Sequence, residues 1–485
     1  MTALHLPASL QLPASQGSCI RLSRFALGLI AMAWAVGAQA FVTVGPSGTF
    51  PTIQGGINQA IANGGDEVRV QLQCFVGCSY SENVNFSSSA SIVLSGGWAS
   101  DFQSQISGLN SAITGTGANA PLMQAFVSGS AITTISRFNL DGSGVVATNS
   151  ASSNTHGLVV GAQDSASVLV YNNTISGNDV YTFNASLIPG GAGVALQATN
   201  TAVIFMNNNI IQSNRLFGSD AHATYGAGAF VTTIGSGHVD FVANTITSNF
   251  TNNTAGGACR GGGIWAASLD TSSMQLLGNT YTGNAQFACA NGATGDAAEI
   301  DASNTAVIQV RDETWTSNAI PNDPGVYEVY MQADVSSHIS AQNGLITHGT
   351  WGGLLANSIA SGSIDISNYT IADNPVLGFH GFGIGTELWN TVLWNNGNNT
   401  PVLETGSTVG FSLFGTDPHF VNAASGNYRL LYGSPAINFG TNTPTGGLRL
   451  VDLDGAIRPY QGVADAGAYE WRPDPGDLIF ANGFD

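Results

Sequence analysis

Apolar and polar residues alternate over short stretches of this chain, and the same stretch returns many times. VLVYNNTISGN at 168–178 is followed by VIFMNNNIIQSN, VDFVANTITSN and MQLLGNTYTGN, which end at 214, 249 and 284. Apolar residues recur there with period two, and Asn, Gly, Thr and Ser interrupt each run. The pattern predicts β-strands of about three to five residues, separated by turns.

The phrase returns at a regular interval that shortens along the chain. A second landmark keeps the same register, because Gly193, Gly228 and Gly263 are each 35 residues apart. Aligned on the closing residue, the units end at Asn178, Asn214, Asn249, Asn284, Asn318, His348, Asn374 and Asn395, with spacings of 36, 35, 35, 34, 30, 26 and 21. Internal repetition of this period is typical of solenoids and propellers.

The unit length distinguishes these architectures. A propeller blade needs about 40 to 50 residues and a signature that this chain lacks, and the leucine ladder of a leucine-rich repeat is also missing. A unit of 21 residues fits one turn of a parallel β-helix, whose strands stack at about 4.8 Å. The closing Asn is then predicted to be structural: it tolerates a left-handed bend, and its amide can bond to the turns above and below.

The first forty residues are typical of a secretory leader. Arg21 and Arg24 precede an apolar run at 25–36, which ends at the small-x-small site Ala38-Gln39-Ala40. The apolar run is too short to span a membrane, so we expect a mature chain that begins near Phe41 and has no transmembrane segment. A retained anchor is the alternative.

The charge of the mature chain restricts its partners. The net charge of −19 becomes −21 once the two leader arginines are removed, and no Lys is present. Nucleic acid is therefore disfavoured as a partner, and a polyanionic glycan would be repelled unless cations intervene. Neutral glycans, cations and basic surfaces remain possible partners.

The cysteines predict two disulfides. Cys19 leaves with the leader, which leaves an even number in an oxidising compartment. Cys74 and Cys78 can close a small loop, and Cys259 and Cys289 lie slightly less than one repeat apart, so stacked turns would bring them together. Zinc is disfavoured, since no further His or Cys stands at ligand spacing.

The beginning of the mature chain resembles a known superfamily. VTVGPSGTFPTIQGGINQAIANGG contains T-I-Q-x-x-I from Thr52 to Ile57, after which strands follow. This opening resembles the cap of the pectate-lyase-like superfamily of right-handed parallel β-helices. The resemblance implies an all-β, single-stranded right-handed parallel β-helix of about ten turns, with a short N-terminal helix that caps the first coil.

The other end resembles the choice-of-anchor Q module of secreted bacterial proteins. D-P-x-F, G-x-Y-x-L, G-S-P-A-I, D-x-D-G-x-x-R-P and G-A-Y-E stand in order from Asp417 to Glu470, and the tail DLIFANGFD resembles the endings of exported proteins of Gram-negative bacteria. The resemblance implies a location outside a Gram-negative cell, secreted or on its surface. The predicted segments are a leader at 1–40, a cap and first coils at 41–110, repeats at 111–415, the module at 416–471 and a tail at 472–485.

The longest loops of successive units are predicted to stack into one wall that carries the candidate site. Aromatic side chains offer stacking faces for sugar rings, while Arg and Asp offer planar hydrogen bonds. The predicted ligand-binding residues are Tyr181, Phe183, Phe217, Tyr225, Phe250 and Phe287, and the candidate catalytic residues are Arg215, Asp220, His222 and Arg260. The alternative is that the aromatic residues only pack the loops onto the solenoid.

The densest acidic patch is a candidate cation site. Asp296, Glu299 and Asp301, followed by Asp312 and Glu313, could supply the carboxylate oxygens that Ca²⁺ prefers. A solvated acidic face is the simpler interpretation. The paired aspartates on adjacent turns that pectinesterases and polygalacturonases use are not found in the sequence.

These features are consistent with two alternative functions. We expect a noncatalytic, adhesin-like protein that binds a polysaccharide, a cell-surface glycan or another surface, without a cofactor unless Ca²⁺ binds the acidic patch. The alternative is a polysaccharide lyase or glycoside hydrolase that works through the long loops, with Arg215 or Arg260 as base and Asp220 or His222 assisting. The fold hosts both classes and does not decide between them.

Overall fold

The computed structural model describes residues 41–74, 77–116, 120–143, 156–182, 190–218, 222–254, 256–289, 292–318 and 325–473. The predicted leader, Phe183, Asp220 and most of the predicted tail lie outside this part. The described chain is all-β, apart from the helix Ile53–Ala62 and the 3-10 turn Ala423–Ser425. Its strands form long parallel stacks, which is consistent with a parallel β-helix.

The largest set of strands, sheet A, supplies two short strands to most coils. Within the described residues it contains 23 strands. They are Phe41–Val44, Glu67–Gln71, Tyr80–Ser81, Val93–Trp98, Ser111–Thr114, Ile132–Ser136, Phe138–Asp141, Ser167–Tyr171, Thr174–Ser176, Val203–Asn207, Ile210–Gln212, His238–Val242, Thr245–Thr247, Ser273–Leu277, Thr280–Thr282, Val307–Arg311, Thr314–Thr316, His338–Thr347, Ser363–Ala372, Thr386–Trp389, Val392–Trp394, Thr408–Gly410 and Leu413–Phe414.

Sheet B supplies one strand to each coil, and all of its neighbouring strands run parallel to each other. Its 11 strands in the described chain are Val84–Ser88, Met123–Val127, Leu158–Ala162, Val194–Asn200, Ala229–Gly235, Ile264–Ser268, Ala298–Ala302, Tyr327–Ala333, Gly352–Ser358, Leu377–Phe382 and Val402–Leu403. Consecutive members are about one repeat apart in sequence, so each pairing joins one coil to the next.

The long loops form two further parallel sheets. Sheet C consists of Asp179–Thr182, Arg215–Gly218, Phe250–Asn253 and Ala285–Phe287, and sheet D consists of Thr224–Tyr225, Cys259–Arg260 and Ala293–Thr294. Among the described residues, they occur only in the coils of 34 to 36 residues. The predicted stacking of the long loops is therefore confirmed.

The core runs along the inside of the coils. Inward side chains lie on their counterparts in the next coil, as in the row Val168, Ile204, Val239 and Met274 of sheet A. A second row changes from aliphatic to aromatic: Ile246 pairs with Tyr281, whose ring stacks on Trp315 at 5.9 Å between centroids. The repeated phrase therefore keeps like side chains in register, as predicted.

The repeated Asn side chains form buried ladders along the solenoid. Asn178 Nδ2 donates to Asn214 Oδ1 at 2.8 Å, and the same contact joins Asn214 to Asn249, Asn249 to Asn284 and Asn284 to Asn318 at 2.7 to 2.9 Å. A second ladder, which the sequence analysis did not identify, runs through Asn173, Asn209, Asn244 and Asn279. The predicted bonding between turns is confirmed.

Two details of the predicted alignment are wrong. The left-handed residue of the bend is the one before the closing Asn, as at Ser213 and Ser248 with φ of 55° each. His348, with φ of 60°, occupies this preceding position, so its neighbour Gly349 continues the ladder by donating to Asn374 Oδ1. In the next coil Asn396, rather than Asn395, accepts from Asn374 Nδ2 at 2.9 Å.

In both ladders a buried glutamate follows the consecutive Asn side chains. Asn279 Nδ2 donates to Glu313 Oε1 at 2.8 Å, and Asn318 Nδ2 donates to Glu328 Oε1 at 2.6 Å. Both glutamates are nearly or fully buried, and the second carboxyl oxygen of each has no hydrogen-bond donor among the described residues. Burial raises the pKa of Glu313 to about 8 and raises that of Glu328 well above its usual value. Both side chains are therefore neutral in a pH range in which an ordinary glutamate is ionised.

The helix Ile53–Ala62 packs against the first coils. Thr52 caps its first turn, since Thr52 Oγ1 accepts from Gly55 N at 3.1 Å. Ile53 and Ile57 are fully buried in the same core as Val44 and Val68 of the first two sheet A strands. No helix in the described part of the chain is long and apolar enough to span a membrane.

The C-terminal region, 416–473, packs against the outer side of sheet A. Tyr428, Ala468 and Tyr469 form an apolar cluster with Leu345 and Ala372 of the sheet. Its own strands Phe420–Asn422 and Asn427–Leu430 form an antiparallel hairpin. The outer side of sheet A therefore forms part of the apolar core of the C-terminal region.

A fully buried ion pair lies between two of the sequence motifs of the C-terminal region. Arg458, from D-x-D-G-x-x-R-P, donates through Nε to Glu470, from G-A-Y-E, at 2.8 Å, and its Nη1 donates to Asn343 Oδ1 at 2.7 Å. Asn343 is the left-handed residue in the middle of the sheet A strand His338–Thr347. Arg458 thus connects the C-terminal region to the solenoid.

Candidate functional site

Sheet C carries four of the predicted ligand-binding residues on its outer face. Strand alternation buries Val180 and Leu216 and leaves the neighbouring side chains outside. Tyr181 pairs in register with Phe217, and the two rings stack at 4.5 Å between centroids. The other aromatic residues and the cation of this face are Phe250, Phe287 and Arg215.

These side chains form one surface, called the aromatic face below. The Phe217 and Phe250 rings meet edge to face at 5.5 Å, and Phe287 is 49% exposed. Arg215 is bonded to Asp179 of the neighbouring strand, with 2.6 Å between Arg215 Nε and Asp179 Oδ1. This ion pair raises the pKa of Arg215, so the guanidinium stays charged and is no candidate for a general base.

Tyr225 and Arg260 do not belong to the aromatic face. They lie in register on sheet D, whose side chains reach toward the outer face of sheet B. Tyr225 meets Trp265 of sheet B at 4.7 Å between ring centroids, and Phe230 stacks on Trp265 at 4.9 Å. The predicted single wall is therefore divided into two surfaces, one on each side of the loop layer.

The loop layer is held together by polar contacts on its inner side. Thr251 Oγ1 donates to Thr224 Oγ1 at 2.8 Å, and Gln286 Nε2 donates to the carbonyl of Thr294 at 2.6 Å. His222 is exposed, and its carbonyl accepts from Asn253 Nδ2 at 2.7 Å. The backbone of His222 therefore takes part in the contact between sheets C and D.

Two of the predicted acidic residues, one buried and one partly exposed, lie beside each other on a sheet B strand near Arg260. Glu299 and Asp301 lie on the sheet B strand Ala298–Ala302 on either side of Ile300, whose side chain is in the core, so both point to the outer face. Arg260 Nη1 donates to Glu299 Oε1 at 2.6 Å, and Trp265 Nε1 donates to Asp301 Oδ2 at 2.9 Å. We call Glu299 and Asp301 the carboxyl pair.

Burial changes the acidity of the carboxyl pair. Glu299 is fully buried, and burial raises its pKa against the opposing effect of Arg260. Burial and then the negative charge of Glu299 raise the pKa of Asp301 well above its usual value. Burial therefore favours the neutral form of both carboxyl groups, and Arg260 opposes this effect.

The predicted solvated acidic face is wrong at Asp296, Glu299 and Glu313, whereas Asp301 and Asp312 are partly exposed. Glu299 and Glu313 are fully buried, and Asp296 is 3% exposed. Both carboxyl oxygens of Glu299 already accept hydrogen bonds, one from Arg260 and one from Thr294. In the described part of the chain, no group of three or more His, Cys, Asp or Glu side chains is placed to hold a metal ion, and Ca²⁺ at Asp296, Glu299 and Asp301 stays a prediction.

Both predicted disulfides are present. Cys74 is joined to Cys78, and Cys259 of sheet D is joined to Cys289 in the following coil, each with 5.6 Å between Cα atoms. The second bridge closes a loop with a sequence separation of 30 and holds sheet D next to the carboxyl pair.

Removing the second bridge is expected to loosen the loop layer. In the chain-entropy model, Cys259→Ala with Cys289→Ala loses about 3.5 kcal/mol, whereas Cys74→Ala with Cys78→Ala, which opens a much shorter loop, loses about 2 kcal/mol. Hydrogen exchange of the sheet D amides measures the difference. Equal protection in the two double variants, or free thiols in the protein purified without reductant, would contradict this expectation.

Comparison of the chain with models of known protein families finds no match, and comparison with curated protein sequences finds none either. The functional inference therefore depends on the geometry and chemistry of the two surfaces.

Proposed function

We propose that this is a secreted protein of a Gram-negative bacterium that binds a neutral or weakly charged glycan, such as a polysaccharide or a cell-surface glycan. The proposed architecture is a right-handed parallel β-helix of about ten turns, with Ile53–Ala62 as its cap. The resemblance to pectate-lyase-like proteins and to choice-of-anchor Q modules supports the handedness and the location.

The aromatic face is the observation that carries this proposal. Its rings come from four successive coils and lie in two register rows, with Tyr181, Phe217 and Phe287 in one row and Phe250 in the other. A polymer of sugar rings presents repeated apolar faces, which can stack on aromatic side chains supplied by several coils. Arg215 and Asp179 add hydrogen-bonding groups at one edge of the row.

The net charge supports a neutral or weakly charged ligand. A mature chain of charge −21 repels polyuronates in solution, and the cations of the candidate surfaces are already paired, Arg215 with Asp179 and Arg260 with Glu299. Aromatic stacking and neutral hydrogen bonds are then the interactions that remain for the ligand.

Replacing two rings of the aromatic face tests the proposal. Phe217→Ala with Phe287→Ala is expected to abolish retention in affinity electrophoresis through a panel of neutral polysaccharides that retain the wild type. The melting temperature should change little, because partly exposed side chains contribute weakly to the core.

Tyr432→Ala is the matched control, since Tyr432 is an aromatic residue of the C-terminal region that is 84% exposed. This variant should bind like the wild type. Unchanged retention of the double variant would contradict the proposal, and so would a failure of the wild type to bind any glycan of the panel. Loss of folding in the double variant would show that these rings are packing residues.

A further inference from the structure

Three polar side chains on the outer face of sheet A are joined in series. His238 Nδ1 lies 2.7 Å from Ser273 Oγ, and His238 Nε2 lies 3.0 Å from Asp240 Oδ1. Asp240 is two residues beyond His238 on the strand His238–Val242, whereas Ser273 is the register partner of His238 on the strand Ser273–Leu277 of the next coil. Strand alternation and parallel pairing therefore bring a hydroxyl, an imidazole and a carboxyl group together.

The carboxyl group of Asp240 fixes the roles of the two imidazole nitrogens. A carboxylate only accepts hydrogen bonds, so His238 Nε2 carries the ring proton and donates to Asp240. His238 Nδ1 then has a lone pair, and the Ser273 hydroxyl donates to it. This arrangement activates a serine, because a base lies within hydrogen-bond distance of the hydroxyl and is itself oriented by a third group.

The serine and the imidazole are partly open to solvent, whereas the carboxyl group is nearly buried. The side chain of His238 is 32% exposed and that of Asp240 only 9%, while Ser273 is partly exposed. The C-terminal region contacts sheet A further along the solenoid, at residues such as Asp312 and Asn343. A small molecule can therefore reach the Ser273 hydroxyl from the outer side of the sheet.

Two neighbours of Ser273 suit a bound ester. Gln275 lies two residues further along the same strand and faces the same side, where its amide can donate to an oxygen that gains negative charge. Val307 is the register partner of Ser273 on the other side, is 36% exposed and offers an apolar contact for an acyl group. The mature charge of −21 disfavours an anionic substrate.

We propose that Ser273 is the nucleophile of an esterase site, which takes short-chain acyl esters of uncharged alcohols. His238 acts as the general base, Asp240 positions His238, and Gln275 donates to the oxyanion. The inference goes beyond the proposed glycan binding and does not depend on it, because this site lies on sheet A and the aromatic face lies on sheet C.

The reaction proceeds in two steps with water as the only co-substrate. His238 takes the proton of the Ser273 hydroxyl as Oγ bonds to the ester carbonyl carbon, and the carbonyl electron pair moves to an oxyanion beside Gln275. Return of this pair breaks the bond to the alcohol oxygen, which takes the proton from His238 and leaves the acyl group on Ser273. Water then gives a proton to His238 and attacks the acyl carbon, and the Ser273 oxygen leaves and regains the proton. The products are a carboxylic acid and a free alcohol.

A second Ser, His and Asp group on the same sheet provides a matched control. Ser363 Oγ lies 2.9 Å from His338 Nδ1, which repeats the contact of Ser273 with His238. Here, however, His338 Nε2 is 3.6 Å from Asp365 Oδ2, which is too far for a hydrogen bond. His338 is therefore not held in the form that accepts from a serine, and Ser363 should be unreactive.

A fluorophosphonate probe and 4-nitrophenyl acetate test the site in the full chain. The probe bonds covalently to activated serines, and peptide mass spectrometry of the labelled wild type is expected to place it on Ser273. Ser273→Ala should abolish this labelling and lower kcat/KM for the acetate ester by about 100-fold or more. Ser363→Ala should react like the wild type.

Replacing Asp240 with Asn distinguishes positioning from a structural role. The Asn amide can donate to His238 Nε2, which moves the ring proton to Nδ1 and removes the acceptor of the Ser273 hydroxyl. We expect kcat to fall by about 100-fold or more, while KM and the melting temperature stay near those of the wild type. An unchanged kcat would overturn the role of Asp240.

Three results would overturn the esterase site: a wild type that the probe does not label, a label on another residue, or hydrolysis that survives Ser273→Ala. An equal loss of reactivity in Ser363→Ala would also contradict it. Labelling of Ser273 without turnover of the acetate ester would overturn hydrolysis as the activity. Ser273→Ala should be retained by glycans like the wild type, so either proposal can fail without the other.

Discussion

Replacing Arg458 with Met is expected to lower the free energy of unfolding by about 3 to 5 kcal/mol, because it leaves Glu470 charged and without its cation in a fully buried place. Arg458 also donates to Asn343 Oδ1 at 2.7 Å and to the carbonyl of Gly467 at 3.0 Å. Both acceptors lose their donor in the variant. Urea unfolding of the full chain, followed by Trp fluorescence, measures the loss.

A second ion pair of the same region provides the control. Arg429 Nε donates to Asp454 at 2.5 Å, but these side chains are 49% and 36% exposed. Arg429→Met should therefore cost less than about 1 kcal/mol. Adding Glu470→Met to Arg458→Met should recover part of the loss, since no unpaired charge remains. Equal losses from Arg458→Met and Arg429→Met would contradict the buried role of Arg458.

Replacing Glu313 with Gln is expected to stabilise the protein increasingly as the pH rises. The folded state raises the pKa of Glu313 from its ordinary 4.5 to about 8 through burial. The stability linked to this proton is fully present below about pH 4.5 and is lost as the pH rises toward 8, by about 1.4 kcal/mol per unit. Gln keeps the oxygen that accepts from Asn279 and carries no titrating proton.

The difference in unfolding free energy between Glu313→Gln and the wild type should grow between pH 5 and pH 7.5, to an order of 3 kcal/mol. Urea unfolding at four pH values measures it. Glu404→Gln, at an exposed position, is the control and should follow the wild type throughout. A difference that stays constant with pH would show that Glu313 is already ionised in the folded protein.

The sequence predicts the period and the parallel stacking because the apolar pattern repeats along the chain. It predicts both disulfides because the number and spacing of the cysteines are visible in the sequence. The ends of the repeat were placed one residue wrong at His348 and Asn395. At both places the left-handed residue is itself His or Asn, and the pattern alone does not distinguish the bend from the ladder position that follows it. The hydrogen bonds of Asn374 identify the correct position.

Glu299 and Asp301 were predicted as candidate cation ligands, but the contact of Glu299 with Arg260 was not predicted. Their shared orientation was visible in Glu299-Ile300-Asp301, since an inward Ile places both neighbours on one outer face. Their burial, however, depends on Arg260 and Thr294 of loops that fold back over sheet B. Tyr225 was likewise assigned to the same surface as the sheet C residues. It lies on a two-residue strand that pairs with the next loop in sheet D, and the spacing of residues in the sequence does not show this pairing.

The Asn ladders also restrict how this chain can change in length. Each amide bonds to the same position of the next coil, so an insertion or deletion in the short strands next to the ladder would displace that coil's Asn from its partners. Removal of a complete unit, such as 215–249, would instead bring Asn214 next to Asn284 with the same hydrogen bonds. Natural changes in the length of this protein should therefore remove or add whole coils, or fall in the loops outside the ladders, because both kinds of change keep the Asn partners in register.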